Sequence, residues 1–215
     1  IYGPKAWGAA VAVNSASNLS FHNNVIGPNL TWATEGIDET SSAGGNKYYN
    51  NTIVGASDYG FVTRVPSSAT TEFKNNIIQG GLNGIYCTNT NFVHSSNILY
   101  GLTGAMYYGT SVGTNEPPIN PQLVNPAGGD YHLQASSAAV DRGTNVGLPY
   151  SGLAPDMGAY ESSYSNRVGF DMSTMQDWVT NNLGSNNSVA RPFAFYYTGY
   201  GWSYNILPSW SFTYS

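Results

Sequence analysis

Glu35, Asp38 and Glu39 fall within the stretch EGIDET, the only tight acidic cluster ahead of residue 120. Carboxylates at this density can supply the oxygen ligands of a Ca2+ ion, and beside a cation they can move a proton at an acidic sugar. Arg64 is the cation that the register of the chain, worked out below, brings within diagonal reach of Asp38. Asp38, Arg64 and Glu35 are therefore the candidate catalytic residues, and Glu35, Asp38 and Glu39 the candidate Ca2+ ligands; no other cofactor is implied. The same grouping also describes a solvated ion pair, worth about 0–1 kcal/mol. Tyr86, Tyr108 and Trp202 are candidates for stacking on sugar rings, since an aromatic face is apolar while its rim takes hydrogen bonds. His94 stands where Phe21, Tyr48 and Phe73 stand in related stretches, which reads as a stacking or corner residue rather than a base.

Such residues need a scaffold, and repetition reveals one. FHNNVIG, YYNNTIVG, FKNNIIQGG and VHSSNILYG follow one another along the chain. Their marker asparagines, Asn24, Asn51, Asn76 and Asn97, are spaced by 27, 25 and 21 residues. Two places after each comes an apolar residue (Ile26, Ile53, Ile78, Leu99), and a glycine closes each unit. A second column keeps the same pace: Gly36-Ile37, Gly60-Phe61 and Gly84-Ile85, with Gly104-Ala105 expected to follow, and AAVAV at 9–13 expected to precede. Short β-rich pieces broken by Gly and Asn mark strands rather than helices. A period of this length signals a solenoid.

Stacked turns place like residues above one another at the strand spacing of about 4.8 Å. Ile26, Ile53, Ile78 and Leu99 are then one buried column, and Ile37, Phe61 and Ile85 another. The asparagines form a structural ladder, Asn24–Asn51–Asn76–Asn97, each amide donating to one neighbour and accepting from the other. The alternation of a strand keeps amide and aliphatic residue on one inward face. In this register Asp38 lies one turn from Val62 and Thr40 one turn from Arg64, which is what sets Arg64 diagonal to Asp38. Cys87 follows Gly84-Ile85-Tyr86 and is expected to point inward as a small apolar filler.

Composition narrows the function. Of 215 residues 41% are apolar but only 9% charged, against about 25% charged in ordinary soluble domains. A neutral polar and aromatic surface suits sugars, and is also tolerated in a stacked sheet. A formal charge of −5 with seven Lys plus Arg speaks against a nucleic-acid partner. No apolar run reaches the length of a membrane span. A single cysteine excludes an internal disulfide and a cysteine-based zinc site. The start, IYGPKAWGAAVAV, lacks an export signal and reads as a mature product or the later part of something longer.

The NN-x-I-x-G turns resemble those of right-handed parallel β-helix proteins of the pectate-lyase-like superfamily. NPQLVNPAGGDYHLQASSAAVDRG, residues 120–143, and PDMGAYE, residues 155–161, are similar to the closing segment of many secreted bacterial β-helix proteins. This chain departs from that pattern with Asn120 and Asn125 for the usual acids and Ala138 for the usual proline. The resemblance covers about residues 8–161 and implies an all-β, right-handed parallel β-helix of about five coils, secreted or cell-surface in location. In it, Asp130, Asp141, Asp156 and Glu161 are turn-stabilising acids accepting backbone N–H bonds. Lyases of the superfamily use a Lys or Arg base near an acidic or calcium-filled groove, and its hydrolases use clustered Asp pairs; neither a second Asp pair nor a Lys/Arg column recurs here.

The expected organisation is 1–161 as the β-helix with its closing motif and 162–215 as an aromatic-rich C-terminal cap or interaction segment, α+β or hairpin in character. DMSTMQDWVTNNLG reads as a short helix capped by Ser173 and Gln176 and ended by Gly184, and RPFAFYYTGYGWSYNILPSWSFTYS as a hairpin and a final strand. This tail either covers an exposed sheet edge or mates with a glycan or a second copy. An upstream fragment stacked on the first coil is a further expected partner. Two functions stay open: an extracellular structural, adhesive or carbohydrate-binding module that self-assembles, or the C-terminal part of a polysaccharide lyase or glycoside hydrolase.

Overall fold

The computed structural model describes residues 8–28, 34–40, 44–66, 68–164, 193–197 and 202–206. The chain divides into two compact units, Ile1–Arg167 and Val168–Ser215. In the first, strands β1 (Ala9–Asn14), β3 (Val25–Ile26), β4 (Glu35–Thr40), β6 (Thr52–Thr63), β8 (Ile77–Cys87), β10 (Ile98–Tyr100) and β11 (Tyr107–Tyr108) build one sheet. Strands β2 (Ser20–His22), β5 (Asn46–Tyr49), β7 (Thr71–Lys74) and β9 (Phe92–Ser95) build a second. Every pairing in the two sheets is parallel and joins residues one lap apart. The result is a parallel β-solenoid of about four turns, consistent with a right-handed parallel β-helix.

Three inward columns fill the coil. Ile26, Ile53, Ile78 and Leu99 lie in register and are buried. Val11, Ile37, Phe61, Ile85 and Tyr107 form the next. Phe21, Tyr48, Phe73 and His94 form the third, the one the sequence identified by its aromatics. The rings of Phe61 and Phe73 approach to 4.3 Å, so the columns interlock across the interior. Each fully buried Ile or Phe is worth roughly 1.5–3 kcal/mol in transfer free energy, and repetition along the stack makes this the dominant stabilising term.

The paired asparagines divide their labour. The first of each pair takes a left-handed backbone at a sharp corner: φ is 57° at Asn23, 50° at Asn50 and 58° at Asn75, with Ser96 at 54° and Asn115 at 57° in the same role. Asn tolerates this conformation better than other side-chain-bearing residues. The second turns inward. Asn24 Nδ2 donates to Asn51 Oδ1 at 3.1 Å, Asn51 Nδ2 to Asn76 Oδ1 at 3.0 Å, and Asn76 Nδ2 to Asn97 Oδ1 at 3.1 Å. Each acceptor oxygen also takes the backbone N–H of the donor residue, at 2.8–3.1 Å. The corners at 23, 50, 75, 96 and 115 bound four complete turns, and β1 and β2 lie ahead of the first corner.

The glycine column has a packing cause. A Cβ on Gly36 would lie 2.6 Å from Ile53 Cγ2, and one on Gly60 would lie 2.5 Å from Ile78 Cγ2. The aliphatic column of the next turn occupies that space. The expected fourth member is corrected: Tyr107, not Ala105, stands in register with Ile85, and Gly104 N–H instead donates to Leu82 O. From Leu99 to Tyr107 the chain takes one residue more than from Ile78 to Ile85, and as many as from Ile53 to Phe61.

The segment 120–161 does not extend the stack. Strands β12 (Leu123–Asn125) and β13 (Asp130–Leu133), joined by a 3-10 turn at Pro126–Gly128, form a small antiparallel hairpin. Leu123, Tyr131, Leu133, Ala139, Val140 and Met157 then cluster with Ile77 and Ile98, the outward neighbours of Ile78 and Leu99. The outward corner asparagines pin this strap along the side: Asn115 Nδ2 donates to Arg142 O, Asn75 Nδ2 to Thr144 O, Asn50 Nδ2 to Asp156 O and Asn23 Nδ2 to Ala159 O. Its acids accept backbone N–H groups: Asp130 from His132, Asp141 from Leu153, Asp156 from Asp141 and Ser162, and Glu161 from Ser151 and Asp156.

In the second unit β14 (Phe193–Tyr197) and β15 (Trp202–Ile206) pair antiparallel, from Phe193 opposite Ile206 to Tyr197 opposite Trp202. The helix expected around Ser173, Gln176 and Gly184 lies outside the described residues.

Candidate functional site

The long sheet carries the candidate chemistry on its outer face. Along the outward register run Ala12, Asp38, Val62, Tyr86 and Tyr108, one residue per turn. Because β4 alternates, Ile37 goes inside and Asp38 outside. Arg64 leaves the end of β6 and reaches back across the sheet: Nη1 donates to Asp38 Oδ1 and Nη2 to Glu35 Oε1, both at 2.7 Å. The guanidinium also lies 5.4 Å from the centre of the Tyr86 ring, a cation–π distance. Burial, with the Glu35 carboxylate beside it, raises the Asp38 carboxyl above its usual range, against the opposing pull of Arg64.

Next to this trio the rings form a row. Tyr86 and Tyr108 stack with centroids 4.9 Å apart and planes within 6°, and Tyr59 meets Tyr86 edge-on at 5.2 Å. Tyr108 is 56% exposed. The row is thus a stack of rings on rigid strands that ends in the exposed Tyr108 and is flanked by a cation and two carboxylates. That arrangement offers stacking surface and hydrogen bonds to a neutral or acidic polar ligand.

Glu39 does not belong to this group. It points into the coil, fully buried, and accepts from Asn46 Nδ2 at 2.7 Å, Thr63 Oγ1 at 2.8 Å and Thr71 Oγ1 at 2.7 Å. Strand alternation separates it from Asp38, so Glu35, Asp38 and Glu39 do not converge as one set of Ca2+ ligands. Among the described residues, no group of three or more His, Cys, Asp or Glu side chains could hold a metal ion. Trp202 belongs to the other unit, on β15. Cys87 is buried in the coil, and its Sγ donates to Asn89 O at 3.0 Å.

Comparison with protein-family models, with curated proteins and with solved structures finds no match.

A second polar centre closes the ladder, and the sequence reading passed over it. Glu116 occupies the inward position after the corner Asn115, the fifth such place. Its carboxylate accepts from Asn97 Nδ2 at 2.5 Å, Tyr107 Oη at 2.9 Å, Gly113 N at 2.7 Å and His94 Nδ1 at 2.9 Å. The other His94 nitrogen, Nε2, lies 3.0 Å from Thr110 Oγ1. Burial opposes the charged carboxyl, yet the bonds from His94 and Asn97 overcome it and hold Glu116 below its usual range. The same burial and the Glu116 charge push the Tyr107 phenol up. The clue in the sequence was Asn115-Glu116 itself, a corner pair with an acid in the ladder place.

Proposed function

We propose that this chain is an extracellular or cell-surface β-helix module, related in architecture to the pectate-lyase-like superfamily, that binds carbohydrate along one face of its coil. The observation that carries the reading is the Tyr59–Tyr86–Tyr108 row with Arg64 and its carboxylate partners beside it. The exposed Tyr108 ring, backed by Tyr86 on the preceding turn, suits a polysaccharide, because stacking needs a flat apolar face and the sugar hydroxyls need neighbouring donors and acceptors. The low charge of the chain fits a neutral or weakly acidic glycan.

The test is titration of glycans of both kinds against the wild type and the Tyr86→Ala and Tyr108→Ala variants. Binding that weakens about tenfold or more in either variant supports the reading, whereas equal affinity for all three proteins refutes it. A stacking contact of about 1–3 kcal/mol sets that scale.

A second partner is suggested by the ladder. Asn24 Oδ1 accepts no hydrogen bond among the described residues, while Oδ1 of Asn51, Asn76 and Asn97 each accepts two. A further turn, from an upstream fragment or another copy, that ends in free amide donors would complete it. Light scattering across concentrations reads such assembly, and a strictly monomeric particle counts against self-association. The enzymatic alternative, a lyase or hydrolase fragment acting through Glu35, Asp38 and Arg64, is favoured by one observation: two adjacent carboxyls, one with a raised pKa, beside an arginine. Turnover of uronate glycans that is lost in Asp38→Asn or Arg64→Ala would establish it.

A further inference from the structure

We propose that Thr110 is a nucleophile for shallowly bound carboxylic esters, with His94 as its general base and Glu116 as the positioning carboxylate. This stands apart from the glycan reading and rests on a different part of the solenoid. The three groups form one chain of contacts: Glu116 Oε1 to His94 Nδ1 at 2.9 Å, and His94 Nε2 to Thr110 Oγ1 at 3.0 Å. An ionised carboxylate only accepts, so Nδ1 must carry a proton. In the neutral ring Nε2 is then the acceptor, and Thr110 Oγ–H donates to it. That polarity is what hydroxyl activation requires.

The surroundings fix the parts that must stay still and leave open the part that must react. Glu116 is held by Asn97, Tyr107 and Gly113 as well as by His94. The imidazole is sandwiched between Phe92, at 4.8 Å between centroids, and Tyr107, at 5.9 Å. Thr110 is half-buried and lies between exposed Gly109 and Ser111, with Val112 62% exposed beyond. The backbone N–H groups of Ser111 and Val112 make no hydrogen bond among the described residues, and we assign the developing oxyanion to them.

In the reaction, Thr110 Oγ bonds to the ester carbonyl carbon while its proton passes to His94 Nε2 and the carbonyl electron pair moves to oxygen. Collapse breaks the bond to the alkoxy group, which leaves as alcohol with that proton. Water then attacks the acyl-threonine, gives a proton to Nε2, and releases the acid as Oγ is reprotonated. Atoms and charges balance with water as the only co-reactant.

The experiment incubates the protein with p-nitrophenyl acetate, following nitrophenol release and locating the acetyl group by peptide mass spectrometry after an acid quench. The expected result is acetyl on Thr110, with turnover lost in the near-isosteric Thr110→Val and kept in Thr110→Ser. His94→Gln should slow turnover by about 10²-fold or more. Glu116→Gln should lower kcat with KM little changed, and Glu116→Asp should restore part of it. Circular dichroism checks the fold of each variant, and the acetyl position in the wild type needs no variant at all. Acetyl found only on lysines or elsewhere, no acetyl on the protein, or undiminished turnover in folded Thr110→Val overturns the proposal.

Discussion

Replacing Asn76 by Ala isolates the contribution of the ladder. The Asn76 side chain is fully buried, accepts from Asn51 N at 2.9 Å and Asn51 Nδ2 at 3.0 Å, and donates to Tyr48 O at 2.9 Å and Asn97 Oδ1 at 3.1 Å. Alanine strips the Asn51 N–H of its acceptor and the Tyr48 carbonyl of a donor in a place water does not reach. Each buried orphan costs about 1–3 kcal/mol, so the variant should lose roughly 3–5 kcal/mol. Asn24→Ala is the internal control, because the Asn24 oxygen accepts nothing among the described residues and its amide is partly exposed. It should lose about 1 kcal/mol. Urea unfolding followed by tyrosine fluorescence measures both, with the midpoint shifting and the slope unchanged. Equal losses in the two variants, or a loss below about 1 kcal/mol in Asn76→Ala, would refute the reasoning, because the ladder would then be a geometric coincidence rather than a set of obligatory bonds.

Other outcomes follow from the same geometry. Glu116 has a folded-state pKa below its unfolded value, so its stabilisation is present above the ordinary carboxylate range and is lost as pH falls through the folded pKa. Urea midpoints should drop on acidification from about pH 5 downward, and this drop should be smaller in Glu116→Gln; an equal drop in both contradicts the assignment. Gly36→Ala places a methyl group 2.5 Å from Gly60 O and 2.6 Å from Ile53 Cγ2, and should destabilise by about 1–3 kcal/mol in thermal melts. Cys87 is buried and its thiol is pushed up by burial, so a thiol reagent should label it slowly in the native protein and rapidly in urea. Fast native labelling would mean that the coil opens at β8.

The sequence made the interior legible because each turn repeats one local rule: corner, amide, aliphatic residue, glycine. Asn51 and Ile53 could be placed against Asn76 and Ile78 from their shared 25-residue spacing, whereas Phe61 needed the separate glycine column to be set against Ile85, because the β6–β8 register shifts between Ala56 and Tyr59. What stayed hidden depends on partners far along the chain. The outward duty of the corner asparagines was invisible because Asn75 meets Thr144, 69 residues away, and Asn23 meets Ala159, 136 away. Glu116 escaped notice because the last step shortens to 19 residues and prolines replace the expected aliphatic residue. Glu39 was grouped with Asp38 by charge density, where the period of two along β4 already sends neighbours to opposite faces.

The central claim is that residues one lap apart touch, amide on amide and aliphatic on aliphatic. Proton NMR with selectively labelled Asn and Ile tests it most directly. The account predicts nuclear Overhauser contacts between the side-chain amides of Asn51 and Asn76 and between the methyl groups of Ile53 and Ile78, with slowed exchange of both amides. Amides that exchange at the rate of free asparagine, with no contact across those 25 residues, would contradict it.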